Sequence, residues 1–257
     1  MPRLGPYASH LRAWNAAAGA LHLAQGIVLL ALATGFSVPL TTALPGPGAM
    51  PGVPVPILQT ETTIAIAPLV AAFFFLSAAA HFVTILPGFY ERYRANLARR
   101  LNSYRWIEYA ISASLMIVVI GLITGISDLP TLLALFAFNA AMIFFGWNME
   151  LLNPDPRRRP DWKPFVFGSL VGLVPWVIIA WYFLTAADRI PEIPDFVPWI
   201  LVSLFVFFNC FAVNQFLQFK RTGKWRDYVY GERAYIFLSL AAKSALAWQV
   251  FSGTLRS

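Results

Sequence analysis

The chain has 257 residues, 58% of them hydrophobic and only 12% charged, with a formal net charge of +7. A soluble domain carries about twice that share of charge and does not repeat apolar runs of about 20 residues, so an ordinary soluble enzyme is excluded and a polytopic membrane protein is indicated. The single cysteine, Cys210, rules out an intramolecular disulfide framework, and no Cys/His cluster, P-loop or GxGxxG motif is present.

Long apolar runs predict seven spans, at roughly 12–34, 61–86, 101–126, 130–152, 164–187, 197–219 and 232–253. The first is read as a span rather than a cleaved signal peptide, because His22 and Gln25 interrupt it and its length suffices to cross. The connection after it, SVPLTTALPGPGAMPGVPVPILQTE, has no basic residue, and its prolines and glycines oppose helix. VPVPIL is apolar and extended, which suits a short ribbon on the bundle or on a partner as well as it suits a linker. No repeat or second domain is evident, so residues 1–257 read as one domain.

The basic residues give an orientation. Arg3 and Arg12 precede or open the first span, and Arg92, Arg94, Arg99, Arg100 and Arg105 lie at the second-to-third connection. Arg157, Arg158, Arg159 and Lys163 follow the fourth span, and Lys220, Arg221, Lys224, Arg226 and Arg233 follow the sixth. That is 16 of 19 on one side, against Arg189 and Arg256 on the other, with Lys243 left over. The positive-inside rule then puts the N-terminus in the cytoplasm and the C-terminus outside a cell membrane. Basic residues scattered between apolar runs do not indicate nucleic acid.

Lys243 stands alone among apolar neighbours in LSLAAKSALAWQ, about 11 residues into its predicted span. A charge at that depth is costly and is a functional hypothesis by default. Burial favours the neutral amine, a nucleophile toward aldehydes, so imine formation with a carbonyl ligand and a structural ion pair both stand. Glu108, in SYRWIEYAISAS, falls at a similar depth if its helix starts near residue 97. The two make an opposite-charge pair, with Arg105, Asn102, Tyr109 and Ser112 on or beside the Glu108 face and Ser239 one turn before Lys243. His22, His81 with Ser77 one turn before it, and Glu150 could form an inner polar cavity able to hold a proton, although Glu150 taken alone reads as interfacial. Trp14, Trp162, Trp199 and Trp225 fit an interfacial belt, while Trp176, Phe207, Phe208, Phe211 and Trp248 fall deeper, as core or as a slot for a flat apolar ligand.

Seven helices, a mid-helix lysine on the last and an Arg-x-x-Glu carboxylate on the third resemble a retinal protein. The inverted orientation, with SYRWIEYAIS, NQFLQ and ERAYIFLSLAAKSALAWQVF, closely resembles the heliorhodopsins over essentially the whole chain. The resemblance implies all-trans retinal on Lys243 as a protonated Schiff base, with Glu108 as counterion. Ser239 stands where light-driven pumps usually carry a second carboxylate. Ser77, Ser112, Tyr109, Arg105 and Asn102 would surround that centre. Asn139, Met142, Ile143, Trp176, Phe208, Phe211, Gln215 and Trp248 would line the polyene, and His22, His81 and Glu150 would form the family's inner polar network. The first loop would be an extracellular β-ribbon at a homodimer contact. No metal is implied.

Most heliorhodopsins cycle slowly without pumping, so the expected function is light sensing through an unidentified cytoplasmic partner, without enzymatic activity. The absence of a carboxylate outward of Glu108 in YAISASLMIVVIGLITGI agrees. A light-driven ion pump or light-gated proton channel on the same chromophore is the alternative, and a retinal-free transporter-like bundle is a third reading.

Overall fold

The computed structural model describes residues 4–47, 52–156, 158–189 and 196–255. Arg3, Arg157 and Arg256, which entered the charge count, and the segment 190–195 lie outside the described residues. Seven long helices are apolar enough to cross a membrane: α1 (Leu11–Leu32), α2 (Ile66–Ile85), α4 (Ser103–Ile123), α5 (Leu129–Leu152), α6 (Lys163–Ala187), α7 (Phe196–Lys220) and α8 (Tyr228–Val250). A short helix, α3 (Phe89–Ala98), lies between the second and third of them. A hairpin of β1 (Ser37–Gly46) and β2 (Val55–Ala65) follows α1.

Local chemistry sets several of these boundaries. Asn102, Asp128 and Asp227 are N-caps of α4, α5 and α8, each accepting a backbone N–H from the first turn through its side chain. The chain breaks between α3 and α4 at Arg100, whose φ of 60° is left-handed. The third span therefore starts two residues later than expected, at Ser103, and residues 89–98 of the preceding connection form a separate helix. The second span also starts later than expected, because residues 61–65 complete β2 before α2 begins. The seventh starts earlier, at Tyr228, which places Glu232 one turn inside it.

The ribbon is longer than a short loop ornament. It pairs antiparallel from Ser37↔Ala65 to Gly46↔Val55, with one irregularity at Leu40/Thr41. Its base is tied to the α4–α5 turn, where Thr41 N donates to Ser127 O at 2.8 Å and the two side-chain hydroxyls lie 3.0 Å apart.

α1 packs on α2, α2 on α4, α4 on α5, α5 on α6 and α7 on α8, and α8 returns against α1 and α2. The main core, including Phe73, Phe74, Ile117, Ile120, Leu135, Leu246 and Val250, fills the half next to the ribbon. At the opposite, basic end, Tyr93 and Leu97 of α3 pack with Leu11, Tyr228 and Val229, so α3 acts as a stopper under the bundle. Arginines also cap carbonyls there: Arg12 donates twice to Ile85 O, at 3.1 and 2.8 Å, and Arg221 and Arg233 donate to Pro156 O and Ser9 O. Apolar side chains on α6 such as Val177, Trp181 and Leu184 are exposed, as lipid contact requires.

Gly146 lets α4 and α5 approach closely. A Cβ there would lie 2.6 Å from the Trp106 ring. Gly146→Ala is expected to destabilise the bundle by about 1–3 kcal/mol through overpacking. A thermal unfolding midpoint equal to that of the unchanged protein would contradict this packing.

Candidate functional site

Lys243, on α8, is 2% exposed, and its Nζ donates to Glu108 Oε1 of α4 at 3.0 Å and to Ser239 Oγ at 2.8 Å. Ser239 is reached because one helical turn separates it from Lys243. Ser77 of α2 donates to the same Glu108 oxygen at 2.6 Å. Ser112 is fully buried one turn on from Glu108, and its hydroxyl has no hydrogen-bond partner, leaving a donor free. The Tyr109 ring lies 5.2 Å below the ammonium, held by its hydroxyl on Tyr235 O at 2.9 Å and by an edge contact with Phe211. A sealed amine and carboxylate are thus oriented by neutral hydroxyls. The pairing offsets the cost of burying either charge.

An apolar cavity borders this amine and adjoins a second, larger one. One of about 40 Å³ touches Lys243, Ser239, Met116 and Ala242; another of about 200 Å³ runs between α5, α6 and α7 past Trp176, Gly172 and Gln215. Tyr109, Met142, Ile143, Phe208 and Phe211 line both. Trp176 packs edge-on against Phe208, and Gln215 is fixed by its bond to Gly146 O at 2.8 Å. Pro175 offers no N–H to the carbonyl of Val171, which loosens α6 at the level of the larger cavity.

Two expected wall residues stand elsewhere. Trp248 lies five residues after Lys243, which turns it about 140° around the helix. Its indole donates to Gln25 of α1 at 3.0 Å and it lines neither cavity. Asn139 donates to Ser114 of α4 at 3.0 Å, also away from both.

The polar residues on the basic side divide into two groups rather than one network. His22 and His81 stack at 5.7 Å, and His81 Nδ1 is 2.8 Å from Asn15 Oδ1. Both His22 nitrogens lack a hydrogen-bond partner. Glu150 is in the second group and is buried, not interfacial. Its Oε1 takes bonds from Arg105 at 2.5 Å and Tyr228 at 2.6 Å, and its Oε2 takes one from Asn102 N at 2.9 Å. Arg105 turns away from Glu108 and also pairs with Glu232. Asn102 Nδ2 donates to Glu232 at 2.6 Å.

Sequence reading passed over Glu232 because it stood at the predicted start of the last span. Its spacing held the signal: Glu232, Ser239 and Lys243 are i, i+7 and i+11, one face of a helix.

A family model described as heliorhodopsin matches residues 11–255. The chain belongs to the heliorhodopsin family. Heliorhodopsins are retinal-binding photoreceptors of the membrane, and seven apolar helices make this one multi-pass. Among solved structures, it is similar to a cyanorhodopsin from the cyanobacterium Tolypothrix sp. NIES-4075, with 14% identity over 74% of this chain and 79% of that one, at a TM-score of 0.54. A cyanorhodopsin from Calothrix sp. NIES-2098 is similar over 73% and 79%, also at 14% identity, with a TM-score of 0.53. At that identity the likeness shows the rhodopsin fold alone. No curated protein matches in sequence. The chemistry of the site fits the family's ligand: an aldehyde-reactive amine at the end of an apolar cleft, with a carboxylate and a spare hydroxyl beside it.

Proposed function

We propose that the protein is a non-pumping light sensor in which Lys243 holds all-trans retinal covalently as a protonated Schiff base and Glu108 is its single counterion. The observation that carries this is the buried Lys243–Glu108 pair whose lysine borders the smaller of two adjoining apolar cavities. Retinal, when bound, supplies visible absorption and a light-driven change of shape. The protein's own residues do the rest. Glu108 compensates the positive nitrogen. Ser77 and Ser239 hold the pair in place, and Ser112 has a donor to spare. Met142, Ile143, Phe208, Phe211 and Trp176 form a tight apolar sleeve in which a change of ligand shape must displace helices α5 to α7.

Sensing is favoured over pumping by what lies on either side of Lys243. Toward the basic end are His81, Arg105 and Glu232 beside a small polar cavity. Toward the ribbon end are Ile117, Ile120, Leu246 and Val250, and among the described buried residues there is no ionisable side chain. A proton leaving the site therefore has buried ionisable hosts on one side only among the described residues, and vectorial transport needs both. We further propose that the whole chain is one functional unit in a cell membrane, with cytoplasmic N-terminus and extracellular C-terminus, forming homodimers through the ribbon and signalling to a cytoplasmic partner.

The test is electrical. Illuminated cells expressing the retinal-loaded protein should show no sustained photocurrent and no net pH change. A robust sustained current would establish the pump or channel alternative instead.

A further inference from the structure

Arg105, Glu150 and Glu232 form a cluster that holding retinal does not require. Their side chains are 4%, 0% and 3% exposed, and they come from α4, α5 and α8. The guanidinium bridges the two carboxylates. Within the cluster one cation faces two anions; the next cation, Arg100 of the α3–α4 joint, acts on Glu150 and not on Glu232, which leaves Glu232 the carboxylate receptive to one proton.

The remaining groups around Glu232 are neutral donors. Asn102 of the α3–α4 joint bonds it at 2.6 Å and Tyr93 of α3 at 3.3 Å. Burial, and then the Glu232 charge, push the Tyr93 phenol well above its ordinary value, so Tyr93 stays a donor. Tyr228 of α8 serves Glu150, and Tyr235 of α8 lies against Arg105. Asn15 of α1 and His81 of α2 face Glu232 across a cavity of about 40 Å³, which Glu108 also lines and Glu150 does not. At about 10–15 Å³ per water, that volume holds a short water chain.

We propose that Glu232 accepts a proton released from the Lys243–Glu108 pair, and that its protonation unlatches α8 from α4. In this transfer an N–H bond at the Lys243 nitrogen breaks, an O–H bond forms on Glu232, and Glu108 and cavity water pass the proton between them. No electrons are exchanged. The neutral carboxyl no longer pairs with Arg105, whose charge then balances Glu150 alone. His81 is the competing acceptor: it lines the same cavity as Glu108, Arg105 and Glu232 and stacks on an unpartnered His22, and a proton there would add a second cation beside Arg105, whereas protonation of Glu232 removes an imbalance. The loosened joint lies at the basic end, beside α3 and the loops that bracket it.

The proton source rests on the retinal reading, so two measurements keep the ideas separable. In the full retinal-loaded protein, light-minus-dark infrared spectra should gain a protonated-carboxyl stretch when the visible band is lost. Glu232→Gln should abolish that stretch, and Glu232→Asp should displace it. A stretch unchanged in both variants, or bleaching without any stretch, overturns the acceptor role. In the retinal-free full chain, nitroxides at Ile107 of α4 and Phe237 of α8, 49% and 62% exposed, report the latch in the dark. The neutral Glu232→Gln variant should give longer or broader distances than the unchanged chain, and Glu232→Asp should not. Identical distributions in all three overturn the latch. Failure to form a pigment at all would refute the retinal reading while leaving this second measurement intact.

Discussion

Lys243→Ala, expressed with retinal, should give a colourless protein. Covalent attachment needs an amine, and Lys243 is the only lysine remote from the basic loops. It borders the smaller of the two adjoining cavities, and no other lysine lines either, so no neighbouring side chain can substitute for it. Loss should be essentially complete rather than partial, because the visible band depends on the charged imine and not on retinal lying in the cleft. Glu108→Gln gives the informative contrast. On the proposed reading the carboxylate stabilises positive charge on the nitrogen in the ground state, and removing it would narrow the gap to the excited state, where that charge moves away. The expected result is a band at longer wavelength, or loss of the visible band in favour of a near-ultraviolet one. A visible band that survives Lys243→Ala would end the retinal reading. A spectrum unmoved by Glu108→Gln would reassign the counterion.

Arg105→Ala should be the most destabilising single change at the basic end. It strands two carboxylates in a cluster sealed from water, and removing one partner of a buried pair costs about 3–5 kcal/mol. The guanidinium also lies 4.0 Å from the Tyr235 ring centroid and 4.6 Å from that of Trp106, contacts that vanish with it. Thermal unfolding in detergent measures the loss. The triple change Arg105→Met, Glu150→Gln, Glu232→Gln should recover much of it, since neutral groups of similar size need no ion partner. If the triple variant is no more stable than Arg105→Ala, lost packing rather than stranded charge explains the effect.

Seven spans were legible because lipid demands long apolar helices whatever the tertiary detail. Their ends were less so. Residues 61–65, in TETTIA, read equally as strand or helix by periodicity, and only pairing with β1 decides. The break before α4 falls at Arg99–Arg100, with no glycine or proline to announce it. The meeting of Lys243 and Glu108 was legible by elimination of other charges, but equal counts from the two helix starts do not account for it. Glu108 is the sixth residue of its helix and Lys243 the sixteenth, because α4 begins later than expected and α8 earlier. Depth from a helix start is unreliable where a stopper such as α3 displaces the joint. Composition could not show which way Arg105 points. That choice depends on Glu150 and Glu232 arriving from distant parts of the chain.

The arginines of the basic end have a second use beyond the orientation proposed for the chain. Arg12 forks onto one carbonyl at the end of α2, and Arg221 and Arg233 close carbonyls of the neighbouring segments. Any cation satisfies the charge rule that sets topology, but a lysine offers a point charge where the guanidinium offers a planar fork. A chain with lysines at these positions would thread into the membrane the same way round and yet leave its helix ends untied. This separates the instruction for insertion from the fastening that follows it, although the same residues write both.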